Sequence, residues 1–161
     1  MIGLLSLVLW WLLIHTEGVY LGQRVVIWLY DIFAPRYDAL VDHDDVEEHL
    51  QLAQPLMEYL ENERPRVLDV GTGTGRLPMA LCQHARFEGQ IIACDRSSKM
   101  LHLAANKIAA NHFSNYVICL HADGQALPYP DNSFDCVTCL EALEFMPQPE
   151  DALREIGRAH V

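Results

Sequence analysis

Basic residues are scarce in this chain. Its 161 residues include 11 Lys and Arg against 22 Asp and Glu, which gives a formal net charge of −11. A protein that binds a phosphate backbone needs a positively charged surface. The composition therefore argues against a nucleic-acid partner, and its length fits a single domain.

The cysteines give little support for a metal or disulfide site. There are five of them, an odd number. Cys136 and Cys139 make a C-x-x-C pair, but residues three apart on a strand point to opposite faces of the sheet. We therefore interpret the cysteines as small buried hydrophobic residues and expect neither zinc nor redox chemistry. Reduced thiols indicate the cytosol.

The apolar segment Ile2–Ile14 lacks the features of a signal peptide, since no Lys or Arg precedes Arg24 and no Ala-x-Ala pattern follows. It is also shorter than the ~20 residues of an ordinary membrane span. Three interpretations stay open: a membrane anchor, an amphipathic cap over the active site, or a start assigned upstream of the true gene. The next apolar stretch, Val19–Phe33, carries Arg24 and Asp31 and suits an interfacial or packing helix.

We separate an apolar N-terminal region, residues 1–29, from a second region, residues 30–161. Membrane association through residues 2–33 is one expectation for the first region. In that case Arg24 and Arg36 favour the cytoplasmic side for the second region. We therefore expect a cytoplasmic protein, or one on the cytoplasmic face of a membrane.

The third glycine of a dinucleotide-binding turn is missing. Residues Val67–Arg76 read V-L-D-V-G-T-G-T-G-R, so a short apolar strand runs into three alternate glycines and then into a helix. The dinucleotide template is G-x-G-x-x-G, and its last position is Arg76 here. Glycine removes side chains that would block a ligand, and the helix offers its first N–H groups to that ligand. The turn predicts a nucleotide-like cofactor other than a dinucleotide.

Four apolar strands alternate with helical segments in the second region. They are predicted at Arg66–Val70, Gln90–Cys94, Tyr116–Leu120 and Cys136–Leu140. This alternation predicts an α/β fold with a doubly wound, mostly parallel sheet of Rossmann type, preceded by an apolar helical segment. In such sheets the ligand binds at the carboxyl ends of the strands.

The glycine turn, with Asp69 two residues before it, resembles motif I of the class I S-adenosylmethionine-dependent methyltransferases. The resemblance continues at Asp95, where the second strand ends, and in His121–Asp135, which is similar to the family's DAEALPFPDNSFD segment. Glu141–Phe145 follows the fourth strand, where the family lines its methyl-transfer pocket. Over Tyr30–Arg158 the chain is most similar to the small-molecule branch that includes the quinone and sterol methyltransferases.

The resemblance implies S-adenosyl-L-methionine as the cofactor. It places Asp95 on the ribose hydroxyls, Asp123 on the adenine amino group and Met100 on the adenine face. Asp69 would hold the turn or meet the donor's ammonium group. The alternative for a strand-end aspartate is structural, as a cap of the next helix. The predicted cofactor-binding residues are Asp69, Gly71, Thr72, Gly73, Gly75, Asp95, Arg96, Met100, Ala122, Asp123, Gly124 and Glu141.

The sequence assigns no catalytic base and predicts no metal site. Glu141 and Glu144 are weak candidates, because a buried carboxylate in the family's pocket can be tuned to act as a base. His121, beside the adenine loop, is a weaker one. The acidic cluster Asp42–Asp45, together with Glu47, Glu48 and His49, is interpreted as a solvated helix N-terminus, where the helix dipole favours acidic residues; a metal site is the less favoured alternative.

Prolines and serines predict several helix boundaries. Tyr30–Asp38 resembles the FDxxAPxYD segment of quinone-methylating relatives, where it helps to close over donor and substrate. The alternative is an aromatic helix that ends at Pro35. Pro55 is expected to kink or restart the helix before the first strand, and Ser97 or Ser98 to cap the helix after the second.

We interpret the chain as a C-terminally truncated fragment, because the family's sheet has seven strands and the sequence predicts four. The last six residues, Ile156–Val161, also match what one frame of a common sequencing adapter encodes. An unpaired fourth strand favours aggregation, so we expect the fragment alone to be poorly soluble and inactive.

The expected function is transfer of a methyl group from S-adenosylmethionine to a small or lipophilic acceptor. Two alternatives stay open. One is a protein that binds S-adenosylmethionine without transferring its methyl group. The other is a nicotinamide-dependent oxidoreductase, which Arg76 in the glycine turn disfavours.

Overall fold

The computed structural model describes residues 2–41, 45–60 and 62–161. Its centre is a parallel sheet of four strands in the order β3-β2-β1-β4. The strands are β1 Arg66–Val70, β2 Gln90–Asp95, β3 Val117–His121 and β4 Cys136–Thr138. After β3, which is at one edge of the sheet, the chain crosses back to form β4 on the side of β1 that does not pair with β2. Strand order therefore reverses between β1 and β4, and this reversal is where doubly wound sheets bind ligands.

Seven α-helices are described around this sheet, with short π-helical and 3-10 turns between some of them. The α-helices are α1 Ile2–Trp10, α2 Gln23–Val41, α3 Asp45–Glu48, α4 Gln54–Tyr59, α5 Arg76–Gln83, α6 Ser98–Ala110 and α7 Pro149–Ala159. The π-helical turns are Trp11–His15 and His49–Ala53, and the 3-10 turns are Val19–Leu21 and Leu143–Phe145.

Helices cover both faces of the sheet. On one face, side chains of α4, α5 and α6 pack against alternate strand residues such as Val67 and Ile91. On the other face, Leu68 and Val70 pack with Phe134 and with Ala159 of α7. Burial of apolar side chains on both faces is what stabilises a parallel sheet. The predicted doubly wound α/β fold is confirmed.

Most predicted helix boundaries are confirmed, and one interpretation is wrong. The Ser97 side chain caps α6, since the Met100 N–H donates to its Oγ at 3.1 Å. Pro55 lies in the first turn of α4, where the helical chain restarts. Pro35 does not end its helix, because α2 continues through it to Val41. A proline inside a helix removes one backbone hydrogen bond, and here the packing of α2 against α6 outweighs that loss.

The strand ends differ slightly from the predicted ones. β1 has the predicted bounds, β2 continues to Asp95, and β3 is shifted by one residue. β4 ends at Thr138 instead of Leu140, because its pairing with β1 stops at Asp69. The backbone then turns sharply, and Glu141 adopts a left-handed conformation with φ of 52°.

The five cysteines are free thiols. Burial raises the pKa of Cys94 to about 12 and the pKa of Cys136 and of Cys139 to about 11, so these groups stay protonated near neutral pH. Among residues 2–41, 45–60 and 62–161, no group of three or more His, Cys, Asp or Glu side chains is arranged to hold a metal ion.

The N-terminal segment exposes much of its apolar surface. Leu5 and Leu7 of α1 have 63% and 64% of their surface exposed. No helix in the described parts of the chain has both the length and the apolar composition that crossing a membrane requires. The predicted boundary between residues 29 and 30 falls inside α2. In the acidic cluster, Asp42, His43 and Asp44 lie outside the described residues. The interpretation of the cluster as solvated is wrong for Glu48, whose side chain is buried and forms an ion pair with Arg76 at 2.6 Å.

Candidate functional site

A cavity of about 150 Å³ lies at the carboxyl ends of the strands, beneath α2. Its floor is the glycine turn together with the ends of β1 and β2, and the segments that follow β3 and β4 form further walls. The sequence-predicted residues that line it are Asp69, Gly71, Thr72, Gly73, Asp95, Arg96, Met100, Ala122, Asp123, Gly124 and Glu141. The structure thus brings together eleven predicted residues from four separate segments.

The glycine turn needs left-handed backbone at each glycine, and each glycine does something different. The Gly71 N–H donates to the Cys94 carbonyl at 2.9 Å, which ties the turn to β2. Gly73, with φ of 55°, has open space where a Cβ would stand. Gly75 does not line the cavity; it precedes α5 and lies so close to α6 that a Cβ would stand 3.1 Å from that of Ala104. Gly73 is therefore the position that leaves room for a ligand.

The Asp95 carboxylate holds the glycine turn and also faces the cavity. Its Oδ2 accepts a hydrogen bond from the Gly73 N–H at 2.8 Å, and its Oδ1 accepts one from the Ser97 N–H at 2.7 Å. Burial raises the pKa of Asp95, and these backbone donors oppose the rise. Each oxygen keeps further acceptor capacity, so the group is able to accept hydroxyl donors from a ligand.

Asp69 is a buried carboxylate at the bottom of the cavity. Burial raises its pKa to about 6, and the Thr138 hydroxyl, which donates to Oδ1 at 2.8 Å, opposes the rise. The Thr72 hydroxyl lies near enough to Asp69 to favour its ionised form as well. Its Oγ1 is nevertheless buried and has no hydrogen-bond partner among the described residues. A buried polar atom without a hydrogen-bond partner destabilises the folded state, so the Thr72 hydroxyl is suited to form a hydrogen bond with a ligand.

Asp123 lies after β3 and forms an ion pair with Arg96. Its Oδ1 also accepts hydrogen bonds from the N–H and the side-chain amide of Gln125, at 3.0 and 3.1 Å. Arg96 in turn donates to Gln23 Oε1 of α2 at 3.1 Å. The polar rim at this end of the cavity is therefore held by contacts within the protein.

Only one of the three candidate catalytic groups lines the cavity. The Glu141 side chain reaches the cavity wall but is 81% exposed, with Arg76 at 3.7 Å. Its left-handed backbone is a form of strain that clusters at functional sites. Glu144 and His121 lie outside the lining. The His121 Nε2 lies 2.9 Å from the Arg96 carbonyl oxygen, which gives the ring a structural partner.

Sequence reasoning identified only part of the roof of the site, because Tyr30 and Tyr37 lie in the segment expected to close over the ligand but the other roof residues do not. Gln23, Val26, Ile27, Tyr30 and Tyr37 of α2 line the cavity. Their spacing follows one face of a helix, which was the available signal. This arrangement agrees with the interpretation of the aromatic segment as a cover over the ligand.

Hydrogen bonds from both sides fasten this roof to the floor. The Ser97 hydroxyl donates to Asp31 Oδ1, and the Thr74 hydroxyl donates to Asp38 Oδ1, each at 2.5 Å. Lys107 adds an ion pair to Asp38 at 2.9 Å. The roof thus contacts the glycine turn and α6 directly.

The other lining residues that were not predicted follow the glycine turn, β2 and β4. The 3-10 turn after β4 contributes Phe145, whose ring lies 5.4 Å from that of Tyr30 in an edge-to-face contact. Such aromatic side chains give the cavity an apolar wall opposite the polar strand ends. Ala142 and Phe145 lie in the Glu141–Phe145 segment that was expected to line a methyl-transfer pocket. The unpredicted residues outside α2 are Thr74, Arg76, Leu77, Ser97, Leu140 and Met146.

Comparison with known proteins gives the family. Residues 68–160 match a family described as a methyltransferase domain. This match covers more than half of the chain, so the chain belongs to that methyltransferase family. The predicted resemblance to the class I S-adenosylmethionine-dependent methyltransferases is confirmed, and S-adenosylmethionine is the cofactor that this membership implies.

Two of the curated relatives are named as methyltransferases of quinone biosynthesis or of a quinone. A demethylmenaquinone methyltransferase of Lactiplantibacillus plantarum is 31% identical over 131 residues, which cover 81% of this chain and 55% of that protein. The ubiquinone/menaquinone biosynthesis C-methyltransferase UbiE of Teredinibacter turnerae is 36% identical over 101 residues, or 62% of this chain and 41% of the relative. The chain thus spans about half of the length of these relatives.

Solved structures share the fold. The [4+2]-cyclase SpnF aligns with a TM-score of 0.74 at 25% identity, over 86% of this chain and 56% of the cyclase. A SAM-dependent methyltransferase from Aquifex aeolicus aligns with a TM-score of 0.66 at 25% identity, over 78% of this chain and 66% of that one.

Proposed function

We propose that this protein binds S-adenosylmethionine and transfers its methyl group to a small lipophilic acceptor of the quinone type. The observation that carries the proposal is one cavity in which three strand-end carboxylates, Asp69, Asp95 and Asp123, surround the open position at Gly73. The names of the two curated relatives support a quinone-type acceptor.

The residues of the cavity fit the donor. Asp95 keeps acceptor capacity for the two ribose hydroxyls, and Met100, almost fully buried, is suited to pack on the adenine. Asp123 would share its Oδ2 between Arg96 and the adenine amino group. Asp69 and the unpartnered Thr72 hydroxyl would face the amino-acid part of the donor. When bound, the donor supplies an electrophilic methyl carbon on a sulfonium.

The roof would bring the acceptor to that methyl group. Tyr30, Tyr37 and Phe145 form an aromatic wall that excludes water, and methyl transfer depends mainly on such positioning in a dry pocket. Of the three weak candidates for a base, Glu141 is the one that lines the cavity.

A second function has specific support. The [4+2]-cyclase SpnF shares the fold of this chain but is named for a different reaction. A protein that binds S-adenosylmethionine without transferring the methyl group is therefore a real alternative. Methyl-labelled donor separates the two: label in an organic extract with a quinol acceptor supports transfer, and donor binding without labelled product supports the alternative.

Calorimetric titration is expected to show binding of S-adenosylmethionine and not of NAD. We expect the affinity to be about tenfold lower at pH 5 than at pH 7, because a pKa near 6 leaves only about a tenth of Asp69 ionised at pH 5. The donor's positive charge favours the ionised carboxylate, so affinity rises as pH rises through 6. The raised pKa of Asp95 acts in the same direction.

The control for this titration is Asp69→Asn, which keeps an acceptor for the Thr138 hydroxyl but does not titrate. Its donor affinity should depend less on pH between 5 and 7. An equally steep dependence in the variant would show that Asp69 does not face the donor. Binding of NAD alone would overturn the proposed function.

We also propose that α1 rests on a membrane surface and that residues 1–29 act as a region distinct from residues 30–161, with the site on the cytoplasmic side. The support is the row of exposed apolar side chains on α1 and the following turn, including Leu5, Leu7 and Trp10. An apolar patch of this kind is typical of contact with a lipid or another protein.

Sedimentation with neutral phosphatidylcholine vesicles tests this placement. Neutral lipid is the appropriate surface because the net charge of −11 disfavours anionic lipid. We expect Leu5→Asp to reduce the bound fraction several-fold, since it places a charge among apolar side chains. Leu50→Asp is the matched control, since Leu50 is also exposed but lies in the His49–Ala53 turn. Equal loss in both variants would contradict a specific role for α1.

A further inference from the structure

A second cavity lies next to the donor cavity, between the 11–21 segment and α2. Its volume is about 220 Å³. Most of its lining is apolar: Leu13, Ile14, Leu29, Phe33 and Leu40, with Glu17 and the rings of Tyr30 and Tyr37. Such a lining favours hydrocarbon over the charged, hydroxylated donor.

The two cavities are adjoining, because Tyr30 and Tyr37 line both of them. These residues are seven apart on α2, so their side chains lie on the same face of the helix, and their ring centroids are 6.0 Å apart. The two rings contact each other and form the boundary between the cavities, so an acceptor beside this pair would have access to both.

One polar contact marks this junction. The Tyr30 hydroxyl donates to Glu17 Oε2 at 2.7 Å. Glu17 and Gly18 have left-handed backbone, with φ of 49° and 76°, and a Cβ on Gly18 would stand 2.9 Å from Leu29 Cδ1. The tight turn holds Glu17 over α2, where its carboxylate and the Tyr30 hydroxyl are available to a polar ring substituent.

We propose that the second cavity holds the hydrocarbon chain of the acceptor, with the acceptor ring beside the Tyr30–Tyr37 pair, where the two cavities adjoin. This inference rests on the proposed function and adds a requirement to it: the acceptor carries an apolar chain attached to its ring. The 11–21 segment lies outside residues 68–160, which match the methyltransferase family, so the chain site is a feature of the N-terminal region of this protein.

Paired phenols test the proposal without the thiol-reactive chemistry of quinones. The probes are 4-hexylphenol and 4-ethylphenol, added to the whole chain saturated with S-adenosylmethionine and measured by calorimetry. The four extra methylene groups should strengthen binding at least tenfold if the cavity buries them. A ratio near one between the two phenols would overturn the proposal.

Two neighbouring residues on α2 provide a matched pair of variants. Phe33 lines the second cavity and is 39% exposed, whereas Ile32 lines neither cavity and is 48% exposed. Phe33→Asp should reduce the preference for the hexyl probe to less than threefold, and Ile32→Asp should leave it unchanged. An equal loss of the hexyl preference in Phe33→Asp and Ile32→Asp would overturn the proposal. So would a loss of that preference in Leu5→Asp alone, because the probe would then bind to the exposed apolar surface of α1.

Donor titration of every variant keeps this result separate from the proposed function. If Phe33→Asp weakens donor binding, Leu40→Asp replaces it, because Leu40 lines the same cavity and is far more exposed. Donor binding without a hexyl preference contradicts the chain site alone. Absence of donor binding in the unmodified protein contradicts the proposed function itself.

Discussion

Gly71→Ala is expected to destabilise the protein by about 3 kcal/mol, from left-handed strain of about 1–2 kcal/mol and overpacking of about 1–3 kcal/mol. Gly71 has φ of 74°, and a Cβ there would stand 2.4 Å from the Cβ of Ala142. Ala142 lies in the sharp turn after β4, so the added methyl group would push this turn away from the glycine turn. Urea unfolding followed by circular dichroism measures the loss.

A double variant separates the clash from the strain. Ala142→Gly removes the atom that the new methyl group meets. The double variant Gly71→Ala/Ala142→Gly should therefore regain the stability lost to overpacking, but not the stability lost to left-handed strain. Gly73→Ala is the matched control, because Gly73 is also left-handed but has no atom within 4 Å of an added Cβ. Equal destabilisation by Gly71→Ala and Gly73→Ala would contradict the close approach of the two turns.

Much of the floor of the site was predictable because local sequence determines it. β1 has the predicted bounds, since Val67, Leu68 and Val70 form a short apolar run that ends at the glycine turn. Asp95 and Asp123 meet in one cavity because parallel strands end at the same edge of the sheet. Gly75 was predicted with the other glycines from its spacing, but its close contact with α6 follows from helix packing.

The roof was not predictable to the same degree because distant contacts fix it. α2 is held by hydrogen bonds such as those from Ser97 to Asp31 and from Thr74 to Asp38, which join residues 66 and 36 positions apart. Nothing in the local sequence shows these partners. The same packing carries the helix through Pro35, against the local preference of proline.

Asp95→Ala is expected to weaken binding of S-adenosylmethionine about 100-fold, or roughly 3 kcal/mol, if its carboxylate accepts the ribose hydroxyls through charge-assisted hydrogen bonds. The variant also loses the two bonds that Asp95 accepts from the Gly73 and Ser97 N–H groups. Its stability should therefore fall as well. Calorimetry gives the affinity, and urea unfolding without donor gives the stability of the same variant.

A second carboxylate separates the two effects. Asp135 Oδ2 accepts a hydrogen bond from the Arg66 N–H at 2.6 Å, at the end of the sheet opposite the cavity. Asp135→Ala should reduce stability but leave donor affinity unchanged. If Asp95→Ala binds the donor as tightly as Asp135→Ala does, Asp95 only holds the glycine turn. A large loss of affinity in Asp95→Ala alone would show that the loss does not follow from lower stability in general and arises at the cavity, where Asp95 faces the donor and holds the Gly73 N–H.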